Sequence, residues 1–215
     1  MRQQLVFDLD DTLFPESDFV RSGFRAVDQW ISEKYSTSGF FDIAWSFFVS
    51  GKREKIFDLT IENLNIKNTT DLIKDLLTTY REHKPTISLF EDAEWAINYF
   101  GSRQDLGLIT DGYLIPQKNK VEALGIKPFF KTIIFSDAYG SQNWKPSPFP
   151  YLKAMELMNC PGENCVYIGD NPKKDFVSAK ELGWVTVQIY REGTEYANFT
   201  HEASHKADFK IESLI

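Results

Sequence analysis

The sequence predicts an α/β protein with a doubly wound parallel sheet, and two observations lead to this fold class. Five short segments are almost continuous apolar runs rich in strand-forming residues, which is typical of strands covered on both faces. Helical patterns lie between the later runs, and an alternation of strands and helices favours a parallel sheet. The predicted strands are Gln4–Leu9, Asp105–Thr110, Lys131–Ser136, Asn164–Gly169 and Trp184–Tyr190.

The helices that follow these strands are predicted by apolar spacing and by the residues at their ends. Gly125 and Gly183 stand where helix C-termini are expected, and Pro148 and Pro172 stand near helix starts. The predicted helices of this layer are Glu91–Phe100, Gln117–Leu124, Pro148–Met158 and Pro172–Leu182.

The segment between the first strand and residue 85 interrupts the alternation, because it contains only helical patterns. At about seventy residues it is too long for a simple crossover connection. We therefore predict two domains, a core made of residues 1–14 and 85–215 and an inserted helical domain of residues 15–84. The helices predicted in the insertion are Phe19–Tyr35, Phe41–Val49, Lys52–Leu64 and Thr70–His83.

Composition argues against several classes of partner. The chain has 215 residues, a formal net charge of −7 and no basic stripe, which argues against nucleic-acid binding. No apolar segment approaches the roughly 20 residues that span a bilayer, so we expect no membrane partner. The N-terminal residues lack the pattern of a secretory signal, which favours a cytoplasmic location.

Polar and charged residues follow the predicted strands where each strand ends. The carboxyl ends of parallel strands form the ligand-binding edge of such a sheet, so we expect these side chains to converge. Carboxylates suit Mg²⁺, which prefers oxygen ligands and often shares them with a substrate phosphate. A hydroxyl, a lysine and loose backbone suit phosphate oxygens. The residues at these ends are Asp8, Asp10, Asp11, Thr110, Asp111, Gly112, Lys145, Asp170 and Asp175.

The chemistry of these residue types indicates phosphoryl transfer. The carboxylate of Asp8 could attack phosphorus and form an aspartyl-phosphate. Asp10, two residues later, could protonate the leaving alcohol and then deprotonate the hydrolytic water. Thr110 and Lys145 could hold the phosphate oxygens, together with backbone N–H groups near Asp111 and Gly112.

Four short motifs in this order resemble those of the haloacid dehalogenase-like hydrolase superfamily. They are "DLDDT", "LIT", "KP" and "GDNPKKD", and the resemblance extends over essentially the whole chain. It implies a Rossmann-like core and a helical cap of the C1 type inserted between the first two motifs. It implies the following roles: nucleophile and metal ligand for Asp8, general acid/base and carbonyl metal ligand for Asp10, phosphate binding for Thr110 and Lys145, metal binding for Asp170, and a supporting position for Asp175.

The chain departs from the superfamily pattern at three places. Asp111 stands where close relatives often have asparagine, and the segment before Lys145 is about two residues longer than usual. The sequence ends at "ADFKIESLI", where relatives usually continue into another helix. Asp11 has no chemical role in this resemblance, and we expect it to turn the chain toward the inserted domain.

Within the superfamily the spacing of the motifs most resembles the branch of acylneuraminate phosphatases and pyrimidine nucleotidases. The predicted activity is therefore Mg²⁺-dependent hydrolysis of a small phosphomonoester, a phosphosugar or a nucleotide. A dehalogenase or a phosphonoacetaldehyde hydrolase is disfavoured because neither uses an aspartate at the position of Asp10. A phosphomutase of the β-phosphoglucomutase type and a non-catalytic binding module remain open alternatives.

Two other patterns are expected to carry no catalytic chemistry. "HEASH", His201–His205, matches a zinc-protease motif, but its polar surroundings predict a solvated loop. Four cations of the inserted domain could steer an anionic substrate, although solvated surface charges are the simpler interpretation; they are Arg21, Arg25, Lys52 and Arg53.

Overall fold

A six-stranded parallel sheet is the central layer of one of two compact units in the computed structural model, which describes residues 3–194, 196 and 203–215. Its strands lie in the order β3-β2-β1-β4-β5-β6, which is a doubly wound arrangement. The strands are β1 (Gln4–Phe7), β2 (Leu106–Thr110), β3 (Phe130–Phe135), β4 (Cys165–Gly169), β5 (Val185–Ile189) and β6 (Phe209–Ile211). The predicted fold class is confirmed.

The chain divides into two compact units, one of Met1–Glu16 with Ser88–Ile215 and one of Ser17–Ile87. Among the residues that the structure describes, the first unit contains the whole sheet and four α-helices. These helices are α5 (Glu91–Gly101), α6 (Leu114–Ala123), α7 (Phe149–Met158) and α8 (Val177–Glu181); helices α1 to α4 come earlier in the chain and are described below.

Strand β1 lies in the middle of the sheet, between the fully buried strands β2 and β4. Leu5 is level with Leu106 of β2 on one side and with Val166 of β4 on the other. On one face of the sheet, buried residues from the strands and from α7 and α8 form a single apolar cluster, which includes Val6, Ile109, Ile134, Tyr151, Tyr167, Phe176 and Trp184. The carboxyl ends of β1, β2 and β4 are thereby fixed next to one another.

Two elements of this unit differ most from the sequence prediction. Helix α8 begins at Val177 rather than near Pro172, because the backbone N–H groups of Lys174 and Asp175 both bond to the carbonyl of Asn171. That tight turn places the Asp175 side chain inside the protein instead of on a helix surface. The second difference is β6, a three-residue edge strand that no prediction included.

The second unit is a bundle of four helices with its own core. Its helices are α1 (Glu16–Tyr35), α2 (Phe40–Val49), α3 (Ile56–Asn63) and α4 (Thr70–Glu82), and α1 starts in the last residue of the first unit. Phe24 lies among the rings of Phe40, Phe48 and Phe57 at centroid distances of 6.3, 6.4 and 6.0 Å. The aromatic run in α2 therefore contributes to the core of this unit.

Side chains fix the starts of two of these helices. The carboxylate of Asp28 accepts hydrogen bonds from the backbone N–H groups of Gly39 and Phe40, where α2 begins. Thr69 caps α4 by accepting a hydrogen bond from the Leu72 N–H. Within the described part of the chain, every helix is too short or too polar to cross a membrane.

A partly buried ion pair joins distant parts of the first unit. The guanidinium of Arg191 donates to Asp92 at 2.8 Å and to the carbonyl of Thr12 at 2.9 Å. The Leu214 N–H donates to the same Asp92 carboxylate at 2.9 Å. Asp92 therefore connects α5, the segment after β5 and the end of the chain. Burial alone would raise the pKa of Asp92, but the hydrogen bonds from Arg191 and Leu214 lower it.

We expect Asp92→Asn to lower the free energy of unfolding at pH 7 by about 1.5–3 kcal/mol, because Arg191 loses its charged acceptor. An aspartate whose folded-state pKa is lowered stabilises the protein above its unfolded pKa of about 3.9 and ceases to do so as the pH falls through the folded pKa. Urea unfolding of variant and wild type should therefore give free energies that converge below about pH 4. Asp105→Asn, in an exposed pair with Lys131, is the control and should change little.

Candidate active site

The turn after β1 separates the three carboxylates of "DLDDT". The N–H of Asp8 donates to the carbonyl of Ile168 at 2.8 Å, so this residue still follows the sheet and is buried. Asp11 has a positive φ of 52° and its N–H bonds back to the carbonyl of Phe14, which closes a tight turn. The Asp11 carboxylate accepts a hydrogen bond from the Glu16 N–H at 2.9 Å, at the start of α1. Asp11 thus caps a helix.

Lys145 lies at the centre of the site with its side chain fully buried. Its ammonium donates to Asp8 at 2.5 Å, to Asp175 at 2.8 Å and to the Tyr167 hydroxyl at 2.7 Å. These contacts use all three protons of the ammonium group. The backbone N–H of Lys145 donates to the carboxylate of Asp111, so both ends of the residue are held.

Asp170 and Asp175 follow β4 and complete the acidic cluster. One carboxylate oxygen each from Asp8, Asp170 and Asp175 lies within 4.8 Å of the others, and all three residues are buried. The second oxygen of Asp175 accepts a hydrogen bond from the Asn171 N–H at 2.9 Å. A Cβ at Gly169 would lie 2.5 Å from that oxygen, so only glycine fits there.

The cluster has more negative than positive charge. With all three carboxylates ionised, the cluster would carry two negative charges more than the single Lys145 ammonium balances. Burial and the neighbouring Asp175 charge raise the pKa of Asp8 to about 7, although Lys145 opposes the shift. Burial, Asp175 and Asp8 together raise the pKa of Asp170 well above its usual value. Burial alone would lower the pKa of Lys145, but Asp175 and Asp8 hold it well above its usual range.

These residues fit a magnesium ion. Carboxylate oxygens are the ligands that Mg²⁺ prefers, and a divalent cation would neutralise the two excess charges of the cluster. Asp175 has both oxygens engaged, by Lys145 and by the Asn171 N–H. Asp8 keeps one oxygen that Lys145 does not contact, and Asp170 is the third member of the cluster. Asp8 and Asp170 are therefore the carboxylates best placed to hold the ion.

The segment after β2 places a hydroxyl, a carboxylate and a glycine at the same edge. Thr110 is fully buried, and its hydroxyl has no hydrogen-bond partner in the described part of the chain. That group fits a ligand oxygen, since buried hydroxyls are normally hydrogen-bonded. Asp111 instead holds the backbone N–H of Lys145, and Lys174 lies 3.6 Å from its carboxylate. Gly112 has a positive φ of 112°, and a Cβ there would lie 2.7 Å from Gln117.

Asp10 has partners of its own on α6. Lys120 contacts one oxygen of its carboxylate at 2.6 Å, and the Gln117 amide donates to the other at 3.0 Å. Glu16 lies near Asp10, and the residue as a whole is exposed. Burial of its carboxyl group and the neighbouring Asp10 charge raise the pKa of that carboxyl to about 7. The acid predicted to exchange protons is thus held apart from the Lys145 cluster by a different cation.

The structure adds four residues that the sequence analysis did not select. Tyr167 contacts Lys145, Lys174 contacts Asp111, and Gln117 and Lys120 contact Asp10. Gln117 and Lys120 are three positions apart on a helix and both are buried. A polar pair on the buried face of a helix is the pattern that could have indicated them. The "HEASH" motif lies partly outside the described residues, because His201 is not among them.

The sheet and its edge define a class of protein, a Rossmann-like α/β enzyme with an acidic site beyond the strand ends. Residues 5–189 match the haloacid dehalogenase-like hydrolase family, and the chain belongs to that family. It is therefore a hydrolase of the haloacid dehalogenase-like type, and several of its curated relatives are named as phosphatases.

Curated relatives resemble the chain over most of its length. The glyceraldehyde 3-phosphate phosphatase of Methanocaldococcus jannaschii is 31% identical, covering 93% of this chain and 92% of that protein. The protein of the same name from Methanopyrus kandleri is 26% identical, covering 89% and 85%. Among solved structures, the Bacillus subtilis HAD-hydrolase YfnB bound to magnesium superposes with a TM-score of 0.70 at 20% identity, covering 100% and 96%. This last similarity supports the fold alone.

We expect Lys145→Met to destabilise the protein in EDTA by about 3–5 kcal/mol at pH 8, because Asp8 and Asp175 lose their shared buried cation. Because the folded-state pKa of Asp8 is raised to about 7, its carboxylate costs stability as the pH rises from the unfolded pKa through the folded one, so the loss should be smaller at pH 5. Urea unfolding at both pH values measures this difference, with the exposed Lys131→Met as control. An equal loss at the two pH values would contradict the charge assignment.

Proposed function

We propose that this enzyme is a magnesium-dependent phosphatase that hydrolyses a small phosphomonoester through an aspartyl-phosphate. One observation carries the proposal: the Asp8 carboxylate is held by Lys145 at 2.5 Å inside a cluster with Asp170 and Asp175. Asp8 is a carboxylate at a strand end, and beside it lie the fixed Lys145 ammonium and the further carboxylate of Asp170. This arrangement suits nucleophilic attack on a phosphate.

In the first half-reaction an oxygen of Asp8 attacks phosphorus while the bond from phosphorus to the leaving oxygen breaks. Asp10 gives its proton to the leaving oxygen, so an alcohol departs and Asp8 becomes an acyl phosphate. The Thr110 hydroxyl and the Lys145 ammonium hold phosphate oxygens and stabilise the charge of the transition state, and Lys145 does so by exchanging its contact with the attacking Asp8 for a phosphate oxygen. The unpartnered Thr110 hydroxyl supports its part in this step.

In the second half-reaction Asp10 takes a proton from a water molecule that attacks the phosphorus of the aspartyl-phosphate. The bond between phosphorus and Asp8 breaks, inorganic phosphate leaves, and both carboxyl groups return to their starting states. Asp175 keeps Lys145 in place throughout, because its carboxylate accepts a hydrogen bond from the ammonium and is itself fixed by the Asn171 N–H. Asp175 is therefore a positioning residue.

Magnesium would be held by the carboxylates of Asp8 and Asp170 and by the carbonyl of Asp10, and when bound it supplies positive charge to phosphate oxygens. The charge excess of the buried cluster supports this assignment. Asp111 and Gly112 contribute through the backbone of the segment after Thr110, since the Asp111 carboxylate is engaged by the Lys145 N–H.

The substrate proposed is a small phosphosugar. The sequence resemblance to acylneuraminate phosphatases and pyrimidine nucleotidases led to a phosphosugar or a nucleotide, and that branch assignment stays a prediction. The curated relatives named glyceraldehyde 3-phosphate phosphatases cover most of the chain, and their named substrate is a three-carbon sugar phosphate. Both the sequence resemblance and the named relatives favour a phosphosugar, so phosphosugars are the first class of substrate to test.

The helical unit Ser17–Ile87 is proposed to be the C1-type cap that selects the substrate. Because the core supplies groups for phosphate and metal alone, the part that distinguishes one phosphomonoester from another must lie elsewhere. The unit carries cations beside aromatic rings, with the Arg21 guanidinium 4.6 Å from the Trp45 ring centroid and that of Arg53 4.2 Å from Phe48. A cytoplasmic location and the absence of nucleic-acid and membrane partners remain predictions.

A phosphomutase of the β-phosphoglucomutase type is the second candidate, because it would use both Asp8 and Asp10. The two activities differ in the acceptor of the phosphoryl group, which is water for a phosphatase and a sugar hydroxyl for a mutase. Phosphate release without an isomeric sugar phosphate supports the phosphatase. The intact Asp8, Asp10, Lys145 and Asp170 argue against a module that only binds.

We expect Asp8→Asn to abolish turnover, because the amide cannot attack phosphorus, and Asp10→Asn to lower kcat by about 10²–10⁴-fold. EDTA should abolish the phosphatase activity of the wild type, and added Mg²⁺ should restore that activity. The measurement is phosphate release from a panel of phosphorylated metabolites that includes three- to six-carbon sugar phosphates and nucleoside monophosphates.

Asp105→Asn, on the exposed surface, is the matched control and should keep wild-type activity. Full activity of Asp8→Asn would contradict the aspartyl-phosphate, and full activity in EDTA would contradict the metal. Hydrolysis confined to nucleotides would move the substrate class from phosphosugars to nucleotides without changing the mechanism.

A further inference from the structure

A buried lysine on α6 contacts the carboxylate that the proposed mechanism uses as acid and base. The Lys120 ammonium lies 2.6 Å from one oxygen of Asp10, and the lysine side chain is 4% exposed against 20% for the aspartate. The Gln117 amide donates to the second oxygen at 3.0 Å. Both oxygens of the carboxylate are therefore held from the same helix.

The Gln117 amide also joins Asp10 to the end of β2. Its nitrogen donates to the carbonyl of Asp111 at 2.7 Å as well as to Asp10. This approach depends on Gly112, where a Cβ would lie 2.7 Å from the amide nitrogen. The three elements that meet here are the turn after β1, the segment after β2 and α6. The position of the Asp10 carboxylate is thus fixed relative to the phosphate-binding segment.

Burying an ammonium for packing alone would be unfavourable. Desolvation of a lysine costs several kcal/mol, and apolar residues of similar volume often stabilise a protein as well as or better than a buried ion pair. Lys120 also lies 5.8 Å from the centroid of the Phe14 ring, so an apolar side chain would find apolar surroundings there. The Lys120 ammonium at this position is explained by its contact with the Asp10 carboxylate.

We propose that Lys120 is a positioning residue for Asp10, a role that rests on the proposed phosphatase function. It holds the carboxylate within reach of the leaving oxygen while Gln117 fixes the second oxygen. A general acid must come within about 2.6–3.2 Å of the atom it protonates, and a misplacement of about 1 Å can cost roughly 10²-fold in rate. Lys120 itself touches neither the substrate phosphate nor the nucleophile in this assignment.

The dependence on the leaving group distinguishes positioning of the acid from general support of the fold. A sugar alkoxide needs a proton as its bond to phosphorus breaks, whereas p-nitrophenolate leaves without one. The ratio kcat/KM reports only the steps up to formation of the aspartyl-phosphate, so the later use of Asp10 as a base does not enter it. Loss of positioning should therefore affect the two kinds of substrate unequally.

The experiment compares Lys120→Met with wild type on the best sugar phosphate and on p-nitrophenyl phosphate, each with saturating Mg²⁺. We expect kcat/KM for the sugar phosphate to fall by about 10²-fold and that for p-nitrophenyl phosphate by less than about 5-fold. Lys120→Arg, which keeps the charge, should recover part of the loss on the sugar phosphate. Lys131→Met removes an exposed lysine and should leave both values unchanged.

Equal losses on the two substrates, or no loss on either, would overturn the proposal. If Lys120→Met does not fold, as judged by circular dichroism, Lys120→Gln and Gln117→Leu give the same comparison with smaller perturbations. A wild-type enzyme that releases no phosphate from any phosphomonoester in Mg²⁺ refutes the proposed function itself. If the wild type is active but the loss of kcat/KM in Lys120→Met is the same for both leaving groups, only the role of Lys120 is refuted.

Discussion

The contact on which the rest of the structure depends is the buried ion pair between Lys145 and two aspartates. Its ammonium contacts Asp8 after β1, Asp175 after β4 and the Tyr167 ring hydroxyl within β4. Removing one member would leave an uncompensated charge in the interior, which is strongly destabilising. The neighbouring positions of β1 and β4 in the sheet, and the turn that brings Asp175 inward, are therefore requirements of the site as much as of the core.

This arrangement does not serve stability, because one cation is shared by too many acids. Asp170 lies with Asp8 and Asp175 in the same buried cluster, and its raised pKa reflects that crowding. A chain selected only for folding would gain by replacing such a residue with an apolar one. The excess of negative charge has a physical explanation once a divalent cation is added, since the cation brings the positive charge that the cluster otherwise lacks.

The sequence allowed the strand ends to be placed because the strands are continuous apolar runs and a parallel sheet brings their carboxyl ends to one edge. Strand β6 escaped prediction because it has three residues at the edge of the sheet, and Phe209 is 61% exposed, so no apolar run marks it. The contact between Lys120 and Asp10 escaped prediction for another reason. The residues are 110 positions apart, and the pattern of one helix does not report which distant side chain it meets.

The three carboxylates crowded into "DLDDT" have three different partners in space. Asp8 is held by Lys145, Asp10 by Lys120, and Asp11 by the backbone N–H of Glu16. The positive φ of Asp11 and the tight turn to Phe14 direct these side chains to separate places. Carboxylates that are neighbours in sequence repel one another less when each accepts hydrogen bonds from a different donor. Different donors also give the carboxylates different surroundings. In the proposed mechanism this separation allows Asp8 to act as nucleophile while Asp10, two residues away, exchanges a proton.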